Sequence, residues 1–382
     1  YYKKAIEADP NYAAAYCEIG GMYEDESRTG EAMVMYEKAI TADPNYPNGY
    51  HGVAYILSAE GKNAEAIRYY RLAVKADSTY ATAFNNMGII YDELEKYDSS
   101  EWAYREAIKI DQNYLDAIYG LGLSLETQKR LPEAQQQFVR MVEVDPTSSL
   151  GLYNVGRIYH IREDYDSAML FYRKTIAVNE THAEAHYYLA SLLDFKEQDD
   201  EALTYYLKTA ALTDSYPNAN YNAALIYTAK SDWKKGVDQY SAYLKLDPGN
   251  GYAMFNRGKL YDKLKNKALA QQDYQSTLTW AEENKDLLLQ AWAHFRLGRV
   301  DKAEELIKQK LTEAPDEGGG YYDYACFYSL TDQQELALQQ LTLAVEKGYS
   351  DWNWMQKDED LIKLRKTKGF KDLLLSHGVT PK

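Results

Sequence analysis

Few side chains in this sequence have the types and the spacing that catalysis or metal binding requires. His182 and His186 are four residues apart, so on a helix both imidazoles would lie on one face, with Glu184 between them, and this spacing is compatible with a metal site. Cys17 and Cys326 are the two cysteines, and they are far apart in the sequence. Two such thiols make neither a disulfide framework nor a zinc site.

The surrounding sequence favours a structural role over a metal-binding or catalytic role for these residues. His186 occupies a position at which other parts of the chain have Tyr or Phe, which indicates packing, and His182 precedes a predicted helix. The run 318–320 is Gly-Gly-Gly, but it lacks the Lys and Ser or Thr that follow in a phosphate-binding loop. No carboxylate pair is set apart for acid–base work. We therefore predict no catalytic residues, no metal and no cofactor, and a chain that is not an enzyme.

Composition narrows the possible partners. The 382 residues include 43 Lys and Arg against 58 Asp and Glu, which gives a formal net charge of −15. A net-acidic chain is a poor general binder of phosphate backbones, so we do not expect a nucleic-acid partner. The sequence has no uninterrupted apolar stretch of about 18 residues, so we expect no transmembrane segment. The 38 tyrosines are an excess that needs a structural cause.

Small residues recur at two places with a constant period. We divide the chain from residue 13 onwards into successive units of 34 residues. In the first eight units the eighth residue is always Gly or Ala, and the twentieth residue is always Ala, Ser or Gly. The eighth positions are Gly20, Ala54, Gly88, Gly122, Gly156, Ala190, Ala224 and Gly258, and the twentieth positions are Ala32, Ala66, Ser100, Ala134, Ala168, Ala202, Gly236 and Ala270. Two helices approach closely only where neither has a bulky side chain. The spacing therefore predicts one helix pair that is repeated along the chain.

The residues of the unit 13–46 resemble those of the tetratricopeptide repeat family. They are Tyr16, Ile19, Gly20, Tyr23, Ala32, Tyr36, Ala39 and Pro44. The resemblance implies an all-α fold, a right-handed α-solenoid superhelix of about ten helix-turn-helix units with a C-terminal capping segment. Recurring aromatic residues in both helices of each unit would account for most of the tyrosine excess.

The repeat divides the chain into four segments. Residues 1–12 are predicted to be the second helix of a truncated unit, 13–284 eight regular units of equal length, 285–351 two divergent units, and 352–382 a C-terminal cap. The cap resembles a motif that closes many bacterial repeat arrays, carried by Asp358, Leu361, Leu364, Arg365, Phe370, Leu373 and Leu374. The half unit at the start suggests that the sequence is a fragment, so the compartment is not predicted.

In this family the first helices line a concave groove that binds extended or helical polypeptides. The fifth positions carry Tyr119, Tyr153, Tyr187, Tyr221 and Phe255, and the sixth positions carry Asn86, Asn154, Asn222 and Asn256. An asparagine amide can both donate to and accept from a peptide backbone. The asparagine series resembles the ladder in the repeat arm of O-linked N-acetylglucosamine transferases. These nine residues are the predicted peptide-binding site.

Carboxylates near the ends of the first helices favour a basic ligand. They are Glu24, Asp25, Asp92, Glu93, Glu126, Asp194 and Asp262. The predicted function is therefore a non-enzymatic scaffold that binds a protein or peptide, basic if these carboxylates line the groove. Two alternatives stay open: a recognition arm of a larger enzyme whose catalytic domain lies upstream of residue 1, and a scaffold that forms homo-oligomers.

Overall fold

Short amphipathic helices make up the fold. The computed structural model describes residues 1–381, and these residues contain α-helices, two short 3₁₀ helices and no strand. The chain separates into two compact units, Tyr1–Glu197 and the part that begins at Gln198. The prediction of an all-α array of helix pairs is confirmed.

The N-terminal unit contains helices α1 to α12. Their bounds are Tyr2–Ala8 (α1), Ala13–Asp25 (α2), Thr29–Ala42 (α3), Pro47–Ala59 (α4), Asn63–Ala76 (α5), Ala81–Glu93 (α6), Tyr97–Ile110 (α7), Leu115–Thr127 (α8), Leu131–Val144 (α9), Ser149–Ile161 (α10), Tyr165–Val178 (α11) and Ala183–Phe195 (α12). In α2 to α11, each even-numbered helix packs against the odd-numbered helix that follows it. We call the even-numbered members first helices and the odd-numbered members second helices.

The C-terminal unit contains helices α13 to α23. Their bounds are Asp199–Leu212 (α13), Asn218–Ala229 (α14), Trp233–Leu246 (α15), Gly251–Lys263 (α16), Lys267–Glu283 (α17), Leu287–Arg296 (α18), Val300–Glu313 (α19), Gly318–Leu330 (α20), Gln334–Glu346 (α21), Trp352–Lys357 (α22) and Lys368–Ser376 (α23). The 3₁₀ helices Glu359–Leu361 and Leu364–Lys366 lie between α22 and α23. Helices α14 to α21 pair in the same first-then-second order.

The turns that separate the helices recur with the period of the repeat. Inside each pair one residue has a positive φ, as in Ser27 at 59° and Gly61 at 75°, and this left-handed residue reverses the chain. Between the pairs of the N-terminal unit an Asp or Asn side chain accepts a hydrogen bond from the backbone two residues on, as Asp43 does from Asn45 at 2.9 Å. Short turns of both kinds hold neighbouring helices antiparallel.

A buried aromatic ring in each odd-numbered helix from α3 to α17 explains why the eighth position of these units is small. A Cβ atom at Gly20 would lie 2.7 Å from Cε1 of Tyr36, and one at Gly88 would lie 2.6 Å from Cε1 of Tyr104. These rings are almost fully buried. At these glycines the first helix therefore rests its backbone directly on the ring, and no room is left for a methyl group.

The neighbouring glycines of α2 provide a test of this packing. Gly20→Ala should lower the free energy of unfolding by about 1–3 kcal/mol, because the methyl group overlaps the Tyr36 ring. Gly21→Ala should raise it by up to about 1 kcal/mol, because Ala favours the helix and the nearest atom, the Tyr36 hydroxyl, is 3.9 Å away. Urea unfolding of both variants measures the two effects. Equal effects at the two positions would contradict the packing.

Candidate peptide-binding surface

At four of the five predicted aromatic positions the ring lies against the buried ring of its own helix pair. In the N-terminal unit the ring centroids of Tyr119 and Phe138 are 6.2 Å apart, and those of Tyr153 and Tyr172 are 5.9 Å apart. Tyr187 lies 5.5 Å from the ring of Tyr188. Tyr119, Tyr153 and Tyr187 are half-buried. Each therefore packs on the core while part of its surface stays accessible.

The same contact occurs in the C-terminal unit. The rings of Tyr221 and Tyr240 are 5.4 Å apart, and those of Phe255 and Tyr274 are 5.6 Å apart. In these two pairs, and in the pairs of Tyr119 and Tyr153 described above, the two aromatic residues are 19 positions apart in the sequence. The fifth position is thus first a packing position, and any ligand would meet only the outer part of each half-buried ring.

Three of the predicted asparagines donate hydrogen bonds to tyrosine hydroxyls. Asn86 Nδ2 lies 3.2 Å from the hydroxyl of Tyr70, and Asn222 Nδ2 lies 3.1 Å from that of Tyr206. Asn256 Nδ2 lies 3.1 Å from the hydroxyl of Tyr221. A buried hydroxyl without a partner costs about 1–3 kcal/mol, so these amides satisfy groups that the protein itself buries. The asparagine series is a set of internal contacts before it is a ladder for a ligand.

Asn154 must be removed from the predicted groove. Its exposed fraction is 2%, and its Nδ2 donates to the carbonyl oxygen of Leu150 at 2.8 Å. The physical reason lies in the preceding second helix. Sixteen residues before Asn86 and Asn222 stands a tyrosine, but sixteen residues before Asn154 stands Phe138, which has no hydroxyl to receive the amide.

The carboxylates at the twelfth positions are also used internally. Glu24 accepts a hydrogen bond from Tyr36 at 2.5 Å, and Asp262 accepts one from Tyr274 at 2.6 Å, each across twelve residues. Glu126 has Phe138 at that spacing and instead forms an ion pair with Arg157 at 2.5 Å. Burial nevertheless raises the pKa of Glu126 above its ordinary value. The acidic rim predicted from the sequence therefore consists partly of structural carboxylates.

Sequence reasoning missed His51, His160 and Tyr188, which belong to the same surface. His51 lies at a fifth position with its ring 5.6 Å from that of Tyr70, and Tyr188 lies at a sixth position with its ring 6.0 Å from that of Tyr172. Burial lowers the pKa of His51 and of His160. His51 and Tyr188 could have been predicted from the repeat, because His51 is the fifth residue of its unit and Tyr188 is the sixth.

The residues first considered for chemistry have structural surroundings. His182 Nδ1 accepts from the backbone of Ala185 at the start of α12, and the ring lies 4.8 Å from that of Tyr153. His186 is buried, and its Nε2 lies 3.0 Å from the carbonyl oxygen of Glu180. Cys17 is a free buried thiol, and burial raises its pKa to about 12. Its thiolate, the reactive form, is therefore scarce near neutral pH.

Charge is distributed unevenly between the two kinds of helix in the N-terminal unit. The first helices carry a single guanidinium, that of Arg157, and nine carboxylates. These are Glu18, Glu24, Asp25, Asp92, Glu93, Asp116, Glu126, Glu184 and Asp194. The second helices α3 to α11 carry nine acidic and nine basic residues. The first-helix surface of this unit is thus strongly negative, whereas the second-helix surface is balanced.

A family profile for the tetratricopeptide repeat matches residues 13–46, 47–80, 81–114, 151–182 and 252–284. The chain carries an array of tetratricopeptide repeats. Proteins built from this repeat generally mediate protein–protein interactions, and the fold generally serves as a non-enzymatic scaffold.

A curated relative shares part of the array. This chloroplastic protein of Arabidopsis thaliana is 32% identical over 97 residues, which cover 25% of this chain and 29% of that protein. The chain thus spans less than a third of the length of this curated relative.

Solved structures resemble parts of the array. The C-terminal part of a TPR repeat-containing protein of Cytophaga hutchinsonii is 19% identical, with a TM-score of 0.53 over 63% of this chain and 98% of that one. YrrB, described as a TPR protein with an unusual peptide-binding site, is 24% identical, with a TM-score of 0.40 over 48% of this chain and 95% of that one. None of the helices within residues 1–381 combines the length and the apolar character needed to cross a lipid bilayer.

A second polar cluster of the repeat array lies beside its C-terminal cap. Asp358 accepts a hydrogen bond from the hydroxyl of Tyr322 at 2.7 Å, and the thiol of Cys326 lies 3.6 Å from the same carboxylate. Burial, together with the charges of Asp358 and Asp360, raises the pKa of Asp323 to about 7. Burial also raises the pKa of Asp360. Asp323 therefore lies close enough to Asp358 and Asp360 for their like charges to act on it.

The exception at Phe138 predicts the outcome of one substitution. Phe138→Tyr would place a hydroxyl at the spacing of twelve residues from Glu126 and sixteen from Asn154, so a partner is available. The free energy of unfolding should change by less than about 1 kcal/mol, whereas a hydroxyl buried without a partner would cost about 1–3 kcal/mol. Urea unfolding measures the difference. A loss at the upper end of the latter range would show that these two residues do not receive the hydroxyl.

The cluster at Asp323 predicts a pH dependence of stability. Because the folded state keeps this proton up to about pH 7 and the unfolded chain loses it near pH 4, the contribution of Asp323 to stability should fall as the pH rises between these values. Asp323→Asn should remove this pH dependence of the unfolding free energy, which corresponds to the release of at most one proton on unfolding. Thermal unfolding of both proteins between pH 4 and 8 tests this. Parallel curves for the wild type and the variant would refute it.

Proposed function

We propose that the first helices of the N-terminal unit bind an extended, lysine- or arginine-rich polypeptide, and that the protein acts as an interaction scaffold. The observation that supports this most directly is the excess of carboxylates on these helices, nine against one guanidinium. Such a surface attracts a cationic chain, increases its rate of association and disfavours acidic competitors.

Exposed apolar side chains lie among these carboxylates. Tyr55 and Ile89 occupy the ninth positions of two successive first helices, and their exposed fractions are 54% and 45%. Because equivalent positions of stacked repeats face the same way, these side chains recur along one surface. Together with the half-buried rings of Tyr119, Tyr153 and Tyr187 they offer the apolar contact that charge alone does not supply.

The role proposed for the asparagines is correspondingly smaller. Asn86 contacts both Tyr70 and His51 through one nitrogen, at 3.2 and 3.1 Å. Its carbonyl oxygen receives a hydrogen bond from Asn85 at 3.3 Å. We assign affinity to the carboxylates and aromatic rings of this surface. The proposed surface does not include the predicted site residues of the C-terminal unit, where the first helices have a different charge. These residues are Tyr221, Asn222, Phe255 and Asn256.

Two triple variants with the same change in net charge test the proposal. In the first, Asp25, Glu93 and Asp116, which are exposed on first helices, are replaced by Lys. The second is a matched control in which the exposed second-helix residues are replaced by Lys, namely Glu37, Glu65 and Glu143.

The probe is a labelled peptide of about twelve residues with alternating Lys and Leu, and fluorescence anisotropy at low salt measures its binding. The first-helix variant should bind about tenfold or more weakly than the wild type, and the second-helix variant less than threefold. A counterpart peptide with Glu in place of Lys should not bind this surface. Equal losses for both variants, or equal binding of both peptides, would rule out the proposed surface.

A further inference from the structure

An acidic turn of the C-terminal cap lies across three first helices of the C-terminal unit. Residues 358–360 are Asp-Glu-Asp. The first carboxylate accepts from Tyr322 on α20 at 2.7 Å, and the second accepts from Lys263 on α16 at 2.6 Å. The third lies 3.7 Å from a guanidinium nitrogen of Arg296 on α18. The turn thus occupies the same kind of surface that the N-terminal unit leaves uncovered.

The surface under this turn has an excess of positive charge. Helices α16 and α18 carry four cations, Arg257, Lys259, Lys263 and Arg296, and Asp262 is their one acidic residue. Asp273 of α17 neutralises Arg257 through two hydrogen bonds of 2.8 and 2.7 Å. The three other cations act on the acidic turn, since the charge of Lys259 also lowers the pKa of Asp360 against the effect of burial. The turn and the helices are therefore electrostatically complementary.

The contact nevertheless leaves the guanidinium of Arg296 incompletely satisfied. The 3.7 Å separation between Arg296 and Asp360 exceeds a hydrogen bond, and Nε of Arg296 is buried without a hydrogen-bond partner. A guanidinium binds a carboxylate best through two parallel hydrogen bonds, which this geometry does not provide. The pair of Lys263 and Glu359 is exposed, so its contribution is small. A carboxylate from another chain could bind Arg296 more closely than Asp360 does.

The turn also experiences repulsion from the helix beneath it. Asp323 of α20 faces the carboxylates of Asp358 and Asp360, and its raised pKa reflects their charges as well as burial. The cap itself is anchored elsewhere, since Leu361, Leu364 and other apolar residues that follow the turn are fully buried. Polar contacts hold the acidic turn, whereas apolar contacts hold the remainder of the cap.

We propose that the surface of α16, α18 and α20 recognises an acidic segment of a partner protein, and that the turn 358–360 is an intramolecular occupant which this segment displaces. The acidic sequence already seated there shows which chemistry the site accepts. The unsatisfied guanidinium and the crowded carboxylates are the reasons why an external segment can compete. The proposal is independent of the cationic ligand proposed for the N-terminal unit.

A peptide with the sequence of residues 351–362, which carries four carboxylates and one lysine, serves as the probe, labelled and added to the full chain. Replacement of the second and third carboxylates of the turn by amides, Glu359→Gln with Asp360→Asn, weakens the internal contact and leaves Asp358 with Tyr322. This variant should bind the peptide at least tenfold more tightly than the wild type does. Adding Lys263→Glu should abolish the gain, whereas Lys245→Glu, an exposed change on second helix α15, should leave it unaltered.

Hydrogen exchange of residues 361–376 in the same samples distinguishes release of the turn from unfolding of the cap. Unchanged protection there with tighter peptide binding supports the proposal. If the double variant loses that protection, Glu359→Gln alone, whose side chain is exposed, replaces it and should bind the peptide more tightly than the wild type. Peptide binding that is no tighter than in the wild type, or that falls equally with Lys245→Glu, would overturn the proposal. Binding of the alternating Lys–Leu peptide, measured in parallel, reports separately on the N-terminal surface.

Discussion

The contact between a buried aromatic ring of the second helix and the backbone of the first helix determines much of this structure from α2 to α17. Where the eighth residue is Gly, as at Gly20, Gly88 and Gly122, a Cβ atom would overlap the ring. Ring and backbone approach so closely that the position of the ring fixes the distance between the helices. Because a buried ring recurs at the same place in the eight units of residues 13–284, one packing solution serves this part of the array.

The polar end of that ring organises the side chains of the first helix around it. A tyrosine hydroxyl buried beside the first helices needs a partner, and the repeat supplies one either twelve residues earlier or sixteen residues later. Glu24 and Asp262 serve in the first way, and Asn86 and Asn222 in the second. Where the ring is Phe138, both residues find other partners. Side chains that look like ligand contacts in the sequence are thus partly accounted for by the core.

The two units present different charges on equivalent helices. In the N-terminal unit the first helices are acidic, and exposed carboxylates such as Asp25 and Asp116 stand on them. In the C-terminal unit the first helices α16 and α18 are basic, and an acidic turn of the cap lies against them. The same kind of helix pair therefore supports two surfaces of different charge, since the exposed positions are free of the packing constraint that fixes the buried ones.

The sequence alone determined the helix pairs, their constant spacing and the absence of bulk at the eighth and twentieth positions, because steric exclusion acts at every repeat and leaves a periodic trace. It also predicted aromatic residues at the fifth positions. It did not predict that Asn154 is buried, or that Asp358 lies against Tyr322 and Cys326. The first fact depends on whether a tyrosine hydroxyl lies opposite the amide of Asn154. The second depends on where the cap packs against the preceding helices. Only the tertiary structure decides them, because hydrogen-bond partners are chosen by distance in space and not by spacing in sequence.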